Sequence, residues 1–470
     1  MMENNVVRLV QLEIKNIKNV VRGVINLERK NSEDKRIGSI LGIYGQNGSG
    51  KTVVVDCMVL LKCLLTGRQI PHAFYQYIRY ECKYAQILYG FQIKRNGTLS
   101  YAEYEVTLQK KDDDQGFIVS GEKLSSKRLD LDTRTKITPV FEYVKGRKVL
   151  FTPAKYYKEF EKDIDSMVAL GIAQQLSENF NEDNQKSEVY SFLFSRKAQE
   201  VFSKADGEAK KIHEISSVLQ TYGLNDLAVV ENSHYGLLAL NIKTFPMNID
   251  WPITNLGKTS GIMINMTGIN VIPKDLFPFL KKTIDQINVV LKSLIPDIEL
   301  EIYHAFDKLM KDGKDGVQFE LITIRDTARI PLLYESAGIK KIISICSNLV
   351  ACYNRESYCL VVDEFDSGIY EYLLGMCLEA ISEKAKGQLI FTSHNLRPLE
   401  VLDMSDLIFT TMNPDDRYLR MSYIKDTQNI RLSYLRAIKL GGQKEKLYRD
   451  TNIYEIELAM RKAGRVGLYD

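Results

Sequence analysis

The sequence predicts an α/β protein: a mostly parallel sheet with flanking helices, an antiparallel β part near the N-terminus and a helical insertion. Three observations predict it. A buried-type strand, "IGSILGIY" (37–44), runs straight into a glycine-rich turn and then into a long apolar helix. A second apolar strand, Cys359–Val362, ends in two carboxylates, and a third, Leu389–Phe391, ends in Thr392, Ser393 and His394. From residue 317 onward strands alternate with helices, the pattern of a parallel sheet.

Each element follows from its local pattern. "VVRLVQLEIKNIKNVVRGVINL" (6–27) alternates as one or two strands. "YAQILYGFQIKR" (84–95) and "YAEYEVTLQ" (101–109) alternate as an antiparallel pair, and "KKDDDQG" (110–116) is a solvated turn after them. From about Pro153 to Asn241 stretches such as "DSMVALGIAQQLSENF" read as helices polar on one side. No heptad persists for three repeats, so this is a compact insertion and not a coiled-coil arm. "FLKKTIDQINVVLKSLIPDIELEIY" (279–303) is a helix closed near Pro296 and followed by a strand. The expected units are 1–152, 153–241 for the insertion, 242–412, and a strand and helix extension over 413–470.

Composition sets the bounds. The chain has 470 residues, 45% hydrophobic, with a formal net charge of +3, too near neutral to argue for or against nucleic acid. No apolar run reaches the roughly 18 residues of a membrane span, and no secretory signal opens the chain, so no membrane partner is expected. The seven cysteines form no CxxC pair and mostly lie in apolar runs, which points to a reducing, cytoplasmic setting.

The glycine-rich turn is "GQNGSGKT" (45–52), which fits G-x-x-x-x-G-K-[ST]. A loop that wraps a phosphate must turn its N–H groups inward, and Gly45, Gly48 and Gly50, with Asn47 between them, allow that curvature. The helix that follows points its positive end at the anion. Lys51 would reach the β- and γ-phosphates of ATP, and the Thr52 hydroxyl would bind Mg²⁺. Residues 53–65 are apolar nearly all round, as befits a helix buried against a sheet.

At a strand end, consecutive side chains point in different directions. Asp363 would face the Mg²⁺ ion while Glu364 faces the attacking water as general base. His394, at the end of the next strand, could hydrogen-bond a γ-phosphate, because open α/β sheets bind ligands at such ends. The other histidines (72, 213, 234 and 304) have no comparable setting. In "LLYESAGIKKIISICSNLV" (332–350), Ile339, Ile342, Ile343, Cys346 and Leu349 keep helical spacing. The helix then starts near Gly338, with Ser336 and the N–H groups of Ala337 and Gly338 at an end suited to an anion.

These four pieces, in this order, resemble the ABC-type ATPase heads of the RecF, SMC and OLD group, with an ABC-ATPase-like P-loop NTPase fold. The opening "LEIKNIKNV" is similar to the first strand of those heads. The sub-branch it most resembles is the AAA-type ATPases of abortive infection and phage defence, through "YES-x-G-x-K-K" and "VVDE-x-D-x-G". The resemblance covers residues 7–67 and about 285–412. It implies that Ser336 of a degenerate signature, "ESAG", completes the nucleotide site of a second copy, that Asp366-Ser367 is the D-loop, and that His394 is the switch histidine. The implied activity is ATP hydrolysis by a homodimer or higher oligomer that acts as a sensor or scaffold with a separate effector chain. ESAG departs from the family's LSGGQ, and Gln86 and Gln76 are both candidates for the Q-loop. No TOPRIM acidic pattern follows His394, so the chain is expected to be the ATPase and not a nuclease. Two further readings stand beside this one: a RecF-like repair ATPase that binds DNA, and a scaffold that holds ATP and seldom hydrolyses it.

Overall fold

A computed structural model describes residues 5–27, 39–111, 116–129, 136–178, 188–231, 244–253, 257–266, 268–421, 430–440, 444–448 and 453–463. The core is a six-stranded sheet in the order β18-β17-β3-β16-β15-β8. Its strands are β3 (Ser39–Tyr44), β8 (Leu227–Val230), β15 (Cys359–Val362), β16 (Gln388–Thr392), β17 (Leu407–Thr410) and β18 (Tyr418–Leu419). All pairings are parallel except β17 with β18. Every residue of β15, β16 and β17 is buried. Alternate side chains of one strand enter two different cores: Ile390 faces one, Leu389 and Phe391 the other.

A second six-stranded sheet, wholly antiparallel, runs β2-β1-β4-β5-β6-β7. It comprises β1 (Val6–Ile17), β2 (Val20–Asn26), β4 (Tyr84–Arg95), β5 (Thr98–Lys110), β6 (Phe117–Arg128) and β7 (Thr138–Val144). The long helix α1 (Lys51–Leu65) is buried between the two sheets, with Val53, Val54, Met58, Leu61 and Leu65 in their shared core. Gln388 fastens one sheet to the other: its amide accepts from Leu9 N at 2.9 Å and donates to Leu9 O at 2.8 Å. The short helix α2 (Phe74–Tyr77) lies beside the turn between β1 and β2, where Lys18 N donates to Tyr77 O.

The region expected as a helical insertion carries α3 (Ala154–Phe160), α4 (Ile164–Glu178), α5 (Arg196–Phe202) and α6 (Lys210–Asn225). It then ends in β8, the edge of the parallel sheet. Four residues of "LAVV" after a helix carry no motif that would announce a core strand.

The alternation from residue 317 does not belong to one parallel sheet. A separate antiparallel sheet, β11-β13-β12 with β14 on β13, precedes β15. Its strands are β11 (Asn270–Pro273), β12 (Glu299–Leu309), β13 (Asp315–Arg325) and β14 (Ala328–Pro331), and a hairpin of β9 (Thr244–Ile253) and β10 (Gly257–Asn265) lies nearby in sequence. β12 and β13 are only partly buried, whereas β15 to β17 are buried throughout, and half-buried strands favour antiparallel pairing. The sheet packs with α7 (Phe277–Leu294) and α8 (Ala337–Asn354) around a third core. α9 (Glu371–Lys384), α10 (Pro398–Val401) and α11 (Ile430–Leu440) follow, and α12 (Ile453–Ala463) buries none of its described residues. Among the described residues no helix is long and apolar enough to cross a membrane. All seven cysteines are free thiols. Most of "KKDDDQG" and all of His234 lie outside the described residues.

One buried acid pins the helical segment to the antiparallel sheet. Glu122 on β6 is 1% exposed and accepts from Tyr104 Oη, from Ser191 Oγ at 2.6 Å, and from the main-chain N–H groups of Phe192 at 2.6 Å and Leu193 at 3.0 Å. Burial raises its pKa despite these donors. Glu122→Ala strands the two buried N–H groups and should cost about 3 kcal/mol or more of stability. A urea unfolding midpoint equal to wild type would remove Glu122 from this role.

Candidate functional site

The register of three parallel strands brings the sequence-selected residues together. Ile43 pairs with Thr392, and Phe391 pairs with Val362, so β3, β16 and β15 end side by side. The glycine-rich loop leaves the first end, His394 follows the second, and Asp363 and Glu364 follow the third.

The loop is tightly held. A Cβ on Gly45 would stand 1.7 Å from Thr410 Oγ1 and 2.8 Å from Ser49 Oγ, so only glycine fits there. Gly48 (φ 74°) and Gly50 (φ 101°) are in the left-handed region, and a Cβ on Gly48 would meet nothing within 4 Å. Ser49 Oγ donates to Gln46 O at 2.5 Å and shares a hydrogen bond of 2.5 Å with Thr410 Oγ1. The turn between β1 and β2 closes the other side: Asn19 Nδ2 donates to Gly48 O, and Arg417 Nη2 donates to Asn19 O at 2.6 Å. Tyr418 Oη donates to Gly50 O at 2.9 Å.

Lys51 is 6% exposed and bridges its own loop, with Nζ donating to Gly45 O at 2.8 Å and Gln46 O at 3.1 Å. Burial lowers its pKa, while the charges of Asp363, Glu364 and Asp366 act to raise it. The lysine and the carboxylates therefore occupy one electrostatic site. Thr52, the next residue, is exposed at the start of α1. Asp363 is buried and accepts from Thr392 Oγ1 at 2.6 Å, and the same hydroxyl accepts from Glu364 N at 2.7 Å. Glu364 has φ 45°, a left-handed conformation that costs a non-glycine residue about 1 kcal/mol. Asp366 Oδ2 accepts from the main-chain N–H groups of His394 at 3.1 Å and Asn395 at 3.0 Å, and its Oδ1 is buried with no hydrogen-bond partner among the described residues. The His394 side chain is exposed.

Ser336 caps α8 as expected, accepting from Ile339 N at 3.3 Å. Gly338 lies against the turn after Glu364, where a Cβ would stand 2.1 Å from Gly368 O. The two glutamine candidates diverge. Gln86 sits in β4, held by Lys15 Nζ at 3.1 Å and donating to Glu105 Oε1 at 2.9 Å, and Gln76 is exposed on α2. Of the other histidines, His72 and His304 are exposed and His213 is half-buried.

Several contacts near the site carry no sequence signal of their own, although Lys341 itself ends the "YESAGIKK" stretch. Thr410 packs on Gly45 from the end of β17, and Lys341 of α8 donates from Nζ to Glu364 O at 2.5 Å. Lys18 reaches Asp56 on α1 at 2.5 Å and lies over the Tyr77 ring. Lysine with an acid many positions away has no recognisable spacing. Only the asparagine-flanked turn "NIKN" after a strand hints that Lys18 and Asn19 sit at a bend.

The donors and acceptors fit a nucleotide triphosphate with a divalent cation. The loop offers glycine curvature, main-chain N–H groups at a helix start and a lysine, and the ends of β16 and β15 offer a threonine hydroxyl beside acids.

No protein-family model matches the chain, and no curated protein sequence does. Among solved structures it is similar to an SMC head bound to the C-winged helix domain of ScpA, at 11% identity over 88% of this chain and 98% of that one, with a TM-score of 0.40. It is similar to an Smc head domain with an extended coiled coil, bound to the C-terminal domain of ScpA and derived from Pyrococcus furiosus, at 12% identity over 88% and 96%, with a TM-score of 0.37. The SMC head domain from Thermotoga maritima gives 12% identity over 88% and 100%, with a TM-score of 0.36. At these scores the likeness is loose, and no residue of this site is read from it.

The acid behind the loop gives a pH-dependent prediction. Burial, with Glu231 and Asp363 nearby, raises the Asp56 pKa to about 6 although Lys18 opposes it. A carboxyl raised by folding contributes fully below about pH 4, its unfolded pKa, and the contribution is lost as pH rises through about 6. The shift corresponds to roughly 3 kcal/mol across that window. Asp56→Asn should flatten this part of the stability profile when urea midpoints are compared at the two ends. An Asp56→Asn profile as steep as wild type would show that Asp56 does not titrate there.

Proposed function

We propose that this chain binds ATP with Mg²⁺ and hydrolyses it, and that two copies pair head to tail around two nucleotides. The carrying observation is that the register of β3, β16 and β15 sets the glycine-built loop with Lys51 at the same sheet edge as Asp363 and Glu364, one strand apart, where those acids act to raise the Lys51 pKa against burial. Lys51 would bind the β- and γ-phosphate oxygens, leaving its loop carbonyls to do so. The N–H groups at the start of α1 would hold the remaining phosphate charge. Thr52 and Asp363 would hold Mg²⁺, which neutralises phosphate charge when bound.

Glu364 would take a proton from an attacking water, a reading supported by Asp363 already being hydrogen-bonded to Thr392. His394 would meet the γ-phosphate, its main chain held by Asp366. The Ser336 end of α8 would serve the nucleotide of the other copy, since each copy then supplies one half of two sites under two-fold symmetry. ATP held between the copies favours the pair by mass action. The finer reading is a nucleotide-gated sensor in phage defence that acts on a separate effector chain. It is supported by the resemblance of "YESAGIKK" and "VVDEFDSG" to that sub-branch.

Loss of the Lys51 cation should abolish turnover in Lys51→Ala while the fold survives. His394→Ala should keep ATP binding and lose most hydrolysis. The decisive experiment mixes Lys51→Ala with Ser336→Arg protein. In a mixed pair both lesions fall at one interface and the other stays intact, so part of the ATPase activity should return. Two inactive variants that restore nothing on mixing, with subunit exchange demonstrated, would refute the shared site. Salt-sensitive DNA binding by the wild-type protein would favour the repair reading, whereas a co-purifying effector and protection of cells from phage would favour the sensor.

A further inference from the structure

The Glu364 peptide is held from two directions. Its N–H donates to Thr392 Oγ1 at 2.7 Å, from β16. Its carbonyl accepts from Ser367 N at 2.9 Å and from Lys341 Nζ at 2.5 Å, from α8. A residue with φ 45° keeps that conformation only where its surroundings over-determine it. Lys341 is 3% exposed, an unusual burial for a lysine unless it is paired. Burial lowers its pKa to about 8, against the opposing charges of Asp366, Glu364 and Asp363.

The same helix touches the turn at its other end. Gly338 meets Gly368 so closely that no side chain fits between them. Residues 364–368 are therefore gripped by α8 at both ends, by Lys341 at the first residue and by Gly338 at the last. Ser336, which caps this helix, lies about one and a half turns before Lys341. A helix is stiff over that distance, so a displacement at its start is carried to the turn.

We propose that Lys341 is a positioning residue: by holding the Glu364 carbonyl it sets where that carboxylate points, and it couples the Ser336 end of α8 to the water-activating group. The inference rests on the assignment of Glu364 as general base. Engagement of Ser336 by the nucleotide of the other copy would then reach the base through one helix and one hydrogen bond. Lys340 provides the internal contrast. It is the adjacent lysine of the same motif, but its Nζ donates to Leu333 O at 2.5 Å, away from the acids.

The test uses the purified 470-residue chain and reads kcat, KM and Mg-ATP affinity for wild type, Glu364→Gln, Lys341→Met and Lys340→Met. Lys341→Met should lower kcat about tenfold or more, with KM and ATP affinity within about twofold of wild type, because an interaction realised at the reacting centre was removed and not ground-state binding. Lys340→Met should leave kcat unchanged. Lys341→Met with wild-type kcat, or with ATP affinity lost in parallel, overturns the positioning role. If Lys341→Met does not fold, Lys341→Gln, shorter and uncharged, is read instead: a smaller loss confined to kcat supports the role, and wild-type kcat overturns it. Wild-type turnover that survives in Glu364→Gln means that the base assignment has failed, and this arm is scored apart from the lysine variants.

Discussion

The parallel strands β8, β15, β16, β3 and β17 are covered on both faces, and the site depends on that double burial. A parallel strand exposed to water on one face would be poorly held, and its register could drift. Here one face meets α1 and the antiparallel sheet, and the other meets the core that includes α9 and Tyr434 of α11. With register fixed, the ends of β3, β16 and β15 coincide, and residues more than 300 positions apart become neighbours. Lys51, the Thr392 hydroxyl and the acids after β15 collect at these ends, where the strands run out.

The surroundings of the loop extend this constraint. Gln388 ties the antiparallel sheet to β16, and the glycine loop is bonded by Asn19, from the turn of β1 and β2, and by Tyr418 of β18, with Arg417 holding Asn19. The phosphate loop is thus braced by the turn of β1 and β2 on one side and by Thr410 on the other. Rigid support of this kind keeps main-chain donors aimed before any ligand arrives, which is how binding geometry is preorganised.

Local chemistry made part of this architecture legible. The strand–loop–helix of residues 39–65 was readable because its signal is continuous: a strand, three glycines, a lysine and an apolar helix in one stretch. The same holds for β15 with its acids, β16 with its histidine, and Ser336 as the cap of α8. Contacts between distant segments were not readable. Lys341 on Glu364 O, Thr410 against Gly45 and Gln388 on Leu9 join positions with no spacing rule between them. β8 was hidden inside a helical stretch because four apolar residues fit a buried strand and a helix end equally well. β13 was drawn into the parallel sheet because its order along the chain resembled that sheet, although its half-buried pattern favours the antiparallel one.

In the function proposed above, two copies close around nucleotide bound at these strand ends. Light scattering on Glu364→Gln protein, with and without Mg-ATP, tests it most directly. Glu364→Gln removes the proposed proton acceptor but leaves Lys51, Thr52 and Asp363 in place, so ATP should stay bound and the measured mass should double on its addition. A mass that is the same with and without Mg-ATP, at nucleotide concentrations shown to saturate the protein, would contradict the account.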